Sequence, residues 1–275
     1  MKALRILFIL AMVISLTALN SSCNKDKDNT TNNNTSWASD NALAEKAYGD
    51  VKNISDEAVG PMQKASAEDT IYLGPCVLVT LNKTDTLWTL TIDFGTTNCL
   101  CNDGRYRRGK LITSINGLYW ATGTVLTYTF DNYFVDDNQV LGTETVTNIG
   151  PNTLGHPVFH VVVNGSIIKA NNGGTITWNS DRLHEWAAGY NTPEWWDDIY
   201  LVTGSGNGTD ANGKTYTINI TSALEIKLNC HWVVTGKLDI QPQDYPLIQV
   251  DYGDGTCNAD ATVIINGVTY TITMP

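Results

Sequence analysis

Apolar and polar residues alternate in short runs from about residue 70 to the C-terminus. In "TLWTLTIDF", Trp88, Leu90 and Ile92 fall on one side and the intervening threonines on the other, and "LTYTF", "TYTINI" and "VTYTITM" repeat the scheme. A period of two residues with one apolar side is typical of antiparallel strands that bury one face. The pattern predicts an all-β domain of about a dozen strands over residues 63–275.

Turn residues separate these runs. Six Asn-Gly pairs occur, at 116–117, 164–165, 172–173, 207–208, 212–213 and 266–267. Asn-Gly favours two-residue hairpin turns because both residues tolerate positive φ. Hairpins in series predict an antiparallel meander, and a sandwich, a barrel and a curved open sheet are all compatible with that pattern.

One segment ahead of the strands has a helical period instead. Apolar residues recur at helical spacing from about Asp40 to Val59. Asp40 is a suitable N-cap and Gly60-Pro61 a suitable stop. Residues 40–62 are therefore predicted to hold one N-terminal amphipathic helix, which covers the core of the sheet.

The N-terminus is different again. Lys2 and Arg5 precede a nearly continuous apolar run, and Cys23 follows it. A positive start and a short apolar run are typical of a secretory signal peptide, here residues 1–22, and the run is short for a membrane span. Residues 23–39 are polar with no branched aliphatic side chain, so we predict a flexible tether.

The junction at Cys23 carries a family resemblance. Leu19, two serines and Cys23 resemble the lipobox of bacterial lipoproteins, in which the cysteine receives the lipid. Lys25-Asp26-Lys27-Asp28 resembles the export tag of surface lipoproteins of the Bacteroidota, and the whole chain is similar to uncharacterised β-rich lipoproteins of that group. The resemblance implies lipidation of Cys23 and an outer-membrane location, at the cell surface or on the periplasmic face. A soluble secreted protein with a free Cys23 is the alternative.

Charge narrows the choice of partners. Without Lys2 and Arg5, 15 basic residues stand against 28 acidic ones, a net charge of −13. Such a chain repels phosphates, so nucleic acid is not an expected partner. We expect membrane association through the N-terminal lipid, and a glycan or an outer-membrane protein complex as the partner.

Five cysteines follow the lipidation site: Cys76, Cys99, Cys101, Cys230 and Cys257. An oxidising envelope permits at most two disulfides among them. Asp93-Phe94-Gly95 precedes Cys99 at the spacing that separates Asp251-Tyr252-Gly253 from Cys257, which fits two similar strand-end turns or a duplicated half-domain. We expect one bridge at Cys99 or Cys101 and a bond at Cys257.

No motif for a metal or cofactor stands out. Asp251 and Asp254 in "DYGDGTC" are more widely spaced than the oxygen ligands of calcium loops, and a tight turn explains them. His156 and His160 would lie roughly 13 Å apart along a strand, too far to share a metal. A P-loop, an H-E-x-x-H motif and a nucleophile elbow are all lacking, and we expect no cofactor.

Two segments are candidates for ligand binding. "RYRRGK" offers Arg105 and Arg107, either as an anion site or as part of a solvated hairpin whose charges pair with acids on neighbouring strands. Residues 178–200 concentrate aromatic residues, among them the candidates Trp186, Tyr190, Trp195 and Trp196. Aromatic rings beside carboxylates bind sugars, whereas the alternative is that these rings seal the core. Because Trp195 and Trp196 are adjacent, we expect at least one of them to be exposed.

Two functional hypotheses follow. The first is a lipid-anchored, non-catalytic envelope module that is structural or binds a ligand, either a glycan or a surface assembly. The second is a carbohydrate-active enzyme with an acid pair near Trp195, drawn from Glu185, Glu194, Asp197 and Asp198. Separately, the sequences around Thr70 and Thr86 resemble the O-glycosylation acceptor motif of exported Bacteroidota proteins, and we predict a glycan at one of them.

Overall fold

The structure is a computed structural model that describes residues 35–64, 73–85, 87–118, 120–192, 194 and 196–275. The predicted signal peptide, Cys23, Thr70, Thr86 and Trp195 lie outside the described residues. The described chain contains one helix, α1 (Ser36–Lys64), followed by strands alone. The strands are β1 (Leu78–Lys83), β2 (Trp88–Asp93), β3 (Cys99–Leu100), β4 (Tyr106–Ile115), β5 (Val125–Val135), β6 (Asn138–Pro151), β7 (Pro157–Ile168), β8 (Thr175–Ala188), β9 (Ile199–Thr209), β10 (Thr215–Lys227), β11 (Val233–Pro242), β12 (Ile248–Asp254), β13 (Asp260–Ile265) and β14 (Val268–Thr273).

Within the described residues these 14 strands form a single antiparallel sheet. Neighbours in the sheet follow the chain order from β1 to β14, except that the short β3 pairs with the start of β4 and lies off this path. The predicted meander is confirmed. The edge strands β1 and β14 do not pair with each other, so the architecture is the open sheet and neither a sandwich nor a barrel.

Four of the six Asn-Gly pairs lie in connections between strands, and two lie inside β7 and β9. A Cβ added to Gly165 of β7 would come within 1.9 Å of the Tyr48 hydroxyl oxygen of α1. A Cβ on Gly208 of β9 would come within 2.2 Å of the Thr177 carbonyl oxygen. For these two pairs the turn prediction is wrong, because glycine there permits close packing.

The predicted alternation of buried and accessible positions is confirmed along most strands. Leu90 and Ile92 of β2 are buried, as are Tyr216 and Ile218 of β10. Val268 differs, since it begins the edge strand β14 and is exposed. One face of the sheet therefore holds the core.

The helix is longer than predicted at both ends. The Ser39 N–H donates to the Thr35 carbonyl, so the first turn forms before Asp40. Asp40 is thus inside the helix, where it pairs with Lys169 and does not act as a cap. Helix α1 also continues through Gly60-Pro61, since a proline near the end removes only one hydrogen bond of the last turns.

α1 covers the buried face of the sheet, as predicted. Buried apolar side chains follow its whole length: Trp37, Ala38, Ala42, Ala44, Ala47, Tyr48, Val51, Ile54 and Ala58. At about 100° per residue, the buried positions span roughly two-thirds of the helix circumference. The Tyr48 ring stacks on Trp178 of β8 at 5.6 Å, and the Ser55 and Thr113 hydroxyls lie 3.0 Å apart. Within the described chain, no helix has the apolar length to span a membrane.

Candidate functional site

Two disulfides close parts of the sheet. Cys76 is bonded to Cys99, and Cys230 to Cys257, with Cα atoms 5.9 and 5.8 Å apart. Of the five described cysteines, Cys101 is the free one, and it is buried. The prediction of a bridge at Cys99 or Cys101 and a bond at Cys257 is confirmed. Burial raises the pKa of the Cys101 thiol, so it is poorly suited to nucleophilic chemistry.

The two Asp-aromatic-Gly segments have the same local structure. Asp93 and Asp251 each accept a hydrogen bond from the backbone N–H two residues ahead, at 2.9 and 3.0 Å. Each also pairs with the lysine directly opposite, Lys110 or Lys237. The backbone donor for Asp93, and Lys237 for Asp251, hold the pKa of the carboxyl below its usual value. The similarity between the two segments is therefore a similarity between two strand-end turns. The contacts within each turn account for its aspartate without a ligand.

The basic segment is neutralised within the chain. Arg107 is 1% exposed and donates two hydrogen bonds to Asp103, at 2.8 and 2.6 Å. Arg105 donates to Asp136 at 2.8 Å and pairs with Asp50 of α1. Burial opposes ionisation, yet Asp103 keeps the pKa of Arg107 above its ordinary value. The remaining arginine and lysine of the segment also contact aspartates. The charges are paired, as the hairpin alternative predicts, but that alternative is wrong in one respect, because Arg107 is buried and not solvated. The pairing leaves little charge for an anion.

Trp186 is the centre of the aromatic cluster. It is only 6% exposed, so it belongs to the core and offers a ligand little surface. Trp120 stacks on it with ring centroids 5.5 Å apart, and Tyr200 stacks on it at 5.7 Å. Tyr190 approaches it edge-on at 6.3 Å. Trp186 thus fixes the positions of Trp120 and Tyr190, two rings that are more accessible than Trp186 itself.

Trp120 is the functional candidate that sequence reasoning missed. It lies in the β4–β5 loop, residues 116–124, and is 60% exposed. The Thr124 hydroxyl donates to the Leu118 carbonyl at 2.6 Å, and the Gly123 N–H donates to the Asn148 carbonyl of β6 at 2.7 Å. These bonds hold the loop beside β6. The available signal was "GLYW" directly after an asparagine, since large apolar residues are unusual at a hairpin turn.

The β8–β9 loop, residues 189–198, carries the second exposed tryptophan. Trp196 is 53% exposed, which confirms that at least one of the adjacent tryptophans is accessible. The exposed carboxylate of Asp197 accepts a hydrogen bond from the Thr192 hydroxyl at 3.0 Å. Gly189 adopts φ +87°, and a Cβ there would come within 2.1 Å of the buried Asp198 carboxylate. Glycine is required for the loop to close on itself.

A groove of about 390 Å³ opens on the outer face of the sheet, across β6 to β10. Val158, Leu183 and Leu201 contribute apolar surface to it. Glu185 is the one charged side chain among its described lining residues, which include no lysine or arginine. The Glu185 carboxylate lies 2.6 Å from His156 Nδ1, and the His156 ring lies 5.6 Å from the Tyr190 ring. The groove therefore adjoins the aromatic cluster.

The other polar candidates have structural partners. His160 Nε2 lies 2.8 Å from the Asp181 carboxylate, and Asp254 accepts a hydrogen bond from the Thr256 N–H at 3.1 Å. Burial, together with nearby cationic side chains, lowers the pKa of His184 to about 3. Among the described residues, no group of three or more His, Cys, Asp or Glu side chains is placed to hold a metal.

The structure brings some candidates together and separates others. Tyr190, Trp196 and Glu185 lie on or beside the β8–β9 loop, whereas Arg105 and Arg107 are at the far end of β4 from Trp120. A strand of ten residues spans about 33 Å, so the arginines are not part of the same site. Searches of protein-family models, of curated proteins and of solved structures with this chain found no match. Function is accordingly inferred from the site itself.

Proposed function

We propose that the protein is a lipid-anchored, non-catalytic binding module of the bacterial cell envelope, displayed on the outer membrane. The signal-like N-terminus, Cys23 and the polar tether support export and anchoring. The compact unit from Thr35 to Pro275, which holds α1 and the sheet, supplies the binding surface. The observation that supports a binding role comes from a small set of loops on that domain.

The supporting observation is a concentration of exposed apolar side chains on the β4–β5, β6–β7 and β8–β9 loops, which we call the aromatic end. The residues concerned are each more than half exposed: Leu118, Trp120, Leu154 and Trp196. These loops connect a run of neighbouring strands at the same end. Exposed apolar residues gathered in one area are a mark of binding surfaces in soluble domains.

The described chain enters the domain at the opposite end of these strands. Asp40 of α1 pairs with Lys169, which follows β7, and Trp37 packs against Tyr245 between β11 and β12 at 4.8 Å. From there the 14-residue strand β8 runs about 45 Å to the aromatic end. The aromatic end therefore lies at the other end of the strands from the point where the described chain begins.

The placement of the carboxylates supports binding over hydrolysis. A glycosidase needs two carboxyl groups across the bond that it cleaves. Glu185 lines the groove but is hydrogen-bonded to His156, while Asp198 is buried and Asp197 binds the Thr192 hydroxyl. Among the described lining residues, no second carboxylate faces Glu185.

The test is expression of the full chain in a Gram-negative host, followed by membrane fractionation and protease treatment of intact cells. We expect the wild type to sediment with the outer membrane and to be cleaved from outside. Cys23→Ala should be unprocessed or released, whereas Cys101→Ala, which removes the free cysteine of the described residues, should behave as wild type. Release of the wild type, or membrane association of Cys23→Ala at unchanged mobility, contradicts the proposal. Polysaccharide turnover that Glu185→Gln abolishes would favour the enzyme.

A further inference from the structure

Trp120 is held as a rigid platform. Its ring stacks on Trp186, which stacks in turn on Tyr200, and the two steps have interplanar angles of 23° and 19°. The Lys52 ammonium lies 4.8 Å from the Tyr200 ring centroid, at the buried end of the stack. A ring fixed in this way loses little conformational freedom when a ligand binds to it. The exposed side of the Trp120 ring is suited to bind a ligand that presents a flat, weakly polar face.

The platform continues towards the groove through a series of contacts. The Tyr190 and Trp186 rings are T-shaped with centroids 6.3 Å apart, and the His156 and Tyr190 ring centroids are 5.6 Å apart. His156 Nδ1 lies 2.6 Å from the Glu185 carboxylate. Two backbone N–H groups of the β6–β7 loop donate to the Asn152 side-chain oxygen, which fixes the position of His156. We call the side chains Trp120, Tyr190, His156 and Glu185, the first two of which are linked through the buried Trp186, the aromatic strip.

The chemistry of the strip limits the ligand class. Sugar rings present C–H faces that stack on aromatic rings and hydroxyl groups that donate to carboxylates. Glu185 offers acceptor oxygens beside the apolar side chains of Val158 and Leu183. Asp197 on the adjoining loop is acidic too, and the described groove lining has no lysine or arginine. A polyanionic ligand would meet like charge there, whereas a neutral one would not.

We infer that the aromatic strip binds a neutral glycan, with one sugar ring stacked on Trp120 and the chain running past Tyr190 to Glu185 and the groove. The inference rests on the proposed function, because it names the ligand of the same binding end. Stacking on Trp120 supplies affinity, and the Glu185 carboxylate accepts hydrogen bonds from the hydroxyl groups of the glycan. Acidic polysaccharides are excluded by charge.

The experiment is calorimetric titration of the purified full chain in detergent, whether or not Cys23 carries a lipid. The neutral probes are laminarin, mannan and arabinoxylan, and polygalacturonate is the acidic probe. We expect at least one neutral polymer to bind and polygalacturonate not to bind. Trp120→Ala should weaken neutral binding about tenfold or more, while Tyr106→Ala, an exposed aromatic at the other end of β4, should not change it.

A second pair of variants tests the carboxylate. Glu185→Gln should weaken neutral binding about tenfold. The matched control is Asp181→Asn, which removes a similar histidine-paired carboxylate outside the groove and should leave affinity unchanged. Thermal unfolding of every variant separates loss of binding from loss of fold, and Glu185→Gln keeps the test decisive if Trp120→Ala unfolds.

The result that overturns the inference is binding confined to polygalacturonate, no binding of any neutral polymer, or equal affinity in the wild type and Glu185→Gln. Tighter polygalacturonate binding by Glu185→Gln than by the wild type would confirm that charge excludes acidic chains. Titration in detergent does not depend on anchoring. Failure to bind glycans therefore leaves the membrane result standing, and failure of anchoring leaves the titration interpretable.

Discussion

Glu45 of α1 compensates a buried cation, and its replacement by glutamine should strongly destabilise the domain. Arg182 of β8 is 2% exposed, and its Nη2 donates to the Glu45 carboxylate at 2.8 Å. Its Nε and Nη1 have no hydrogen-bond partner within the described residues. The Glu45 carboxylate is the acidic group paired with this guanidinium. Glu45→Gln removes the charge and preserves the shape.

The magnitude follows from the burial of Arg182. Breaking a buried ion pair from one side costs about 3–5 kcal/mol, because the remaining charge stays desolvated. Arg182 also lies over the Trp178 ring at 5.7 Å, and this contact of about 1 kcal/mol survives the change. We expect a loss of roughly 2–4 kcal/mol in the free energy of unfolding. The control, Asp136→Asn, removes a half-exposed partner of Arg105 and should cost less than about 1 kcal/mol.

The assay is urea unfolding with both disulfides intact, followed by circular dichroism and tryptophan fluorescence. With an m value of about 2–3 kcal/mol/M, Glu45→Gln should lower the midpoint by roughly 1 M. The double variant Glu45→Gln/Arg182→Met should recover most of the loss, since no buried charge remains. If Glu45→Gln shifts the midpoint no further than Asp136→Asn, Arg182 is compensated in another way and the reasoning is refuted.

Three further predictions concern the disulfides, the acid range and the β8–β9 loop. Alkylation of the unfolded, non-reduced chain should label Cys101 and none of the other four described cysteines. Peptide mass spectrometry measures the labelling, and a second labelled cysteine among the five would contradict the disulfide pairing. Because the folded pKa values of Asp93 and Asp251 lie below the usual 3.8, their contribution to stability is complete above about pH 4 and is lost as the pH falls through those values. Urea midpoints should therefore fall on the acid side. Replacing both lysine partners with methionine should reduce that fall, more through Asp251 than through Asp93, whose main donor is the Gly95 N–H. Gly189→Ala should lower the free energy of unfolding by about 2–4 kcal/mol and Gly155→Ala by about 1 kcal/mol, as measured by urea unfolding. Both glycines have positive φ, but only Gly189 is crowded, so equal losses would disprove the steric argument.

Local patterns in the sequence determine the fold class and which strands are neighbours in the sheet. The alternation in "TLWTLTIDF" depends on the two-residue period of a strand, so the buried positions Leu90 and Ile92 are readable without any long-range contact. Hairpin connections then make each strand pair with the next, which is why a meander follows from local signals. Pairing of the "RYRRGK" charges with acids on neighbouring strands was an open alternative, whereas the pair between Arg107 and the nearby Asp103 was not predicted.

Contacts between distant segments are decided by the tertiary structure alone. Trp120 became part of the candidate site only because the β4–β5 loop docks on β6 and places its ring on Trp186. Gly165 is needed inside a strand because Tyr48 of α1 approaches it, and a dipeptide cannot indicate which distant side chain will do so. The choice of Cys99 over Cys101 is of the same kind, since it depends on where the chain around Cys76 lies. Periodicity determines which face of an element is buried, whereas packing between elements determines what that face meets.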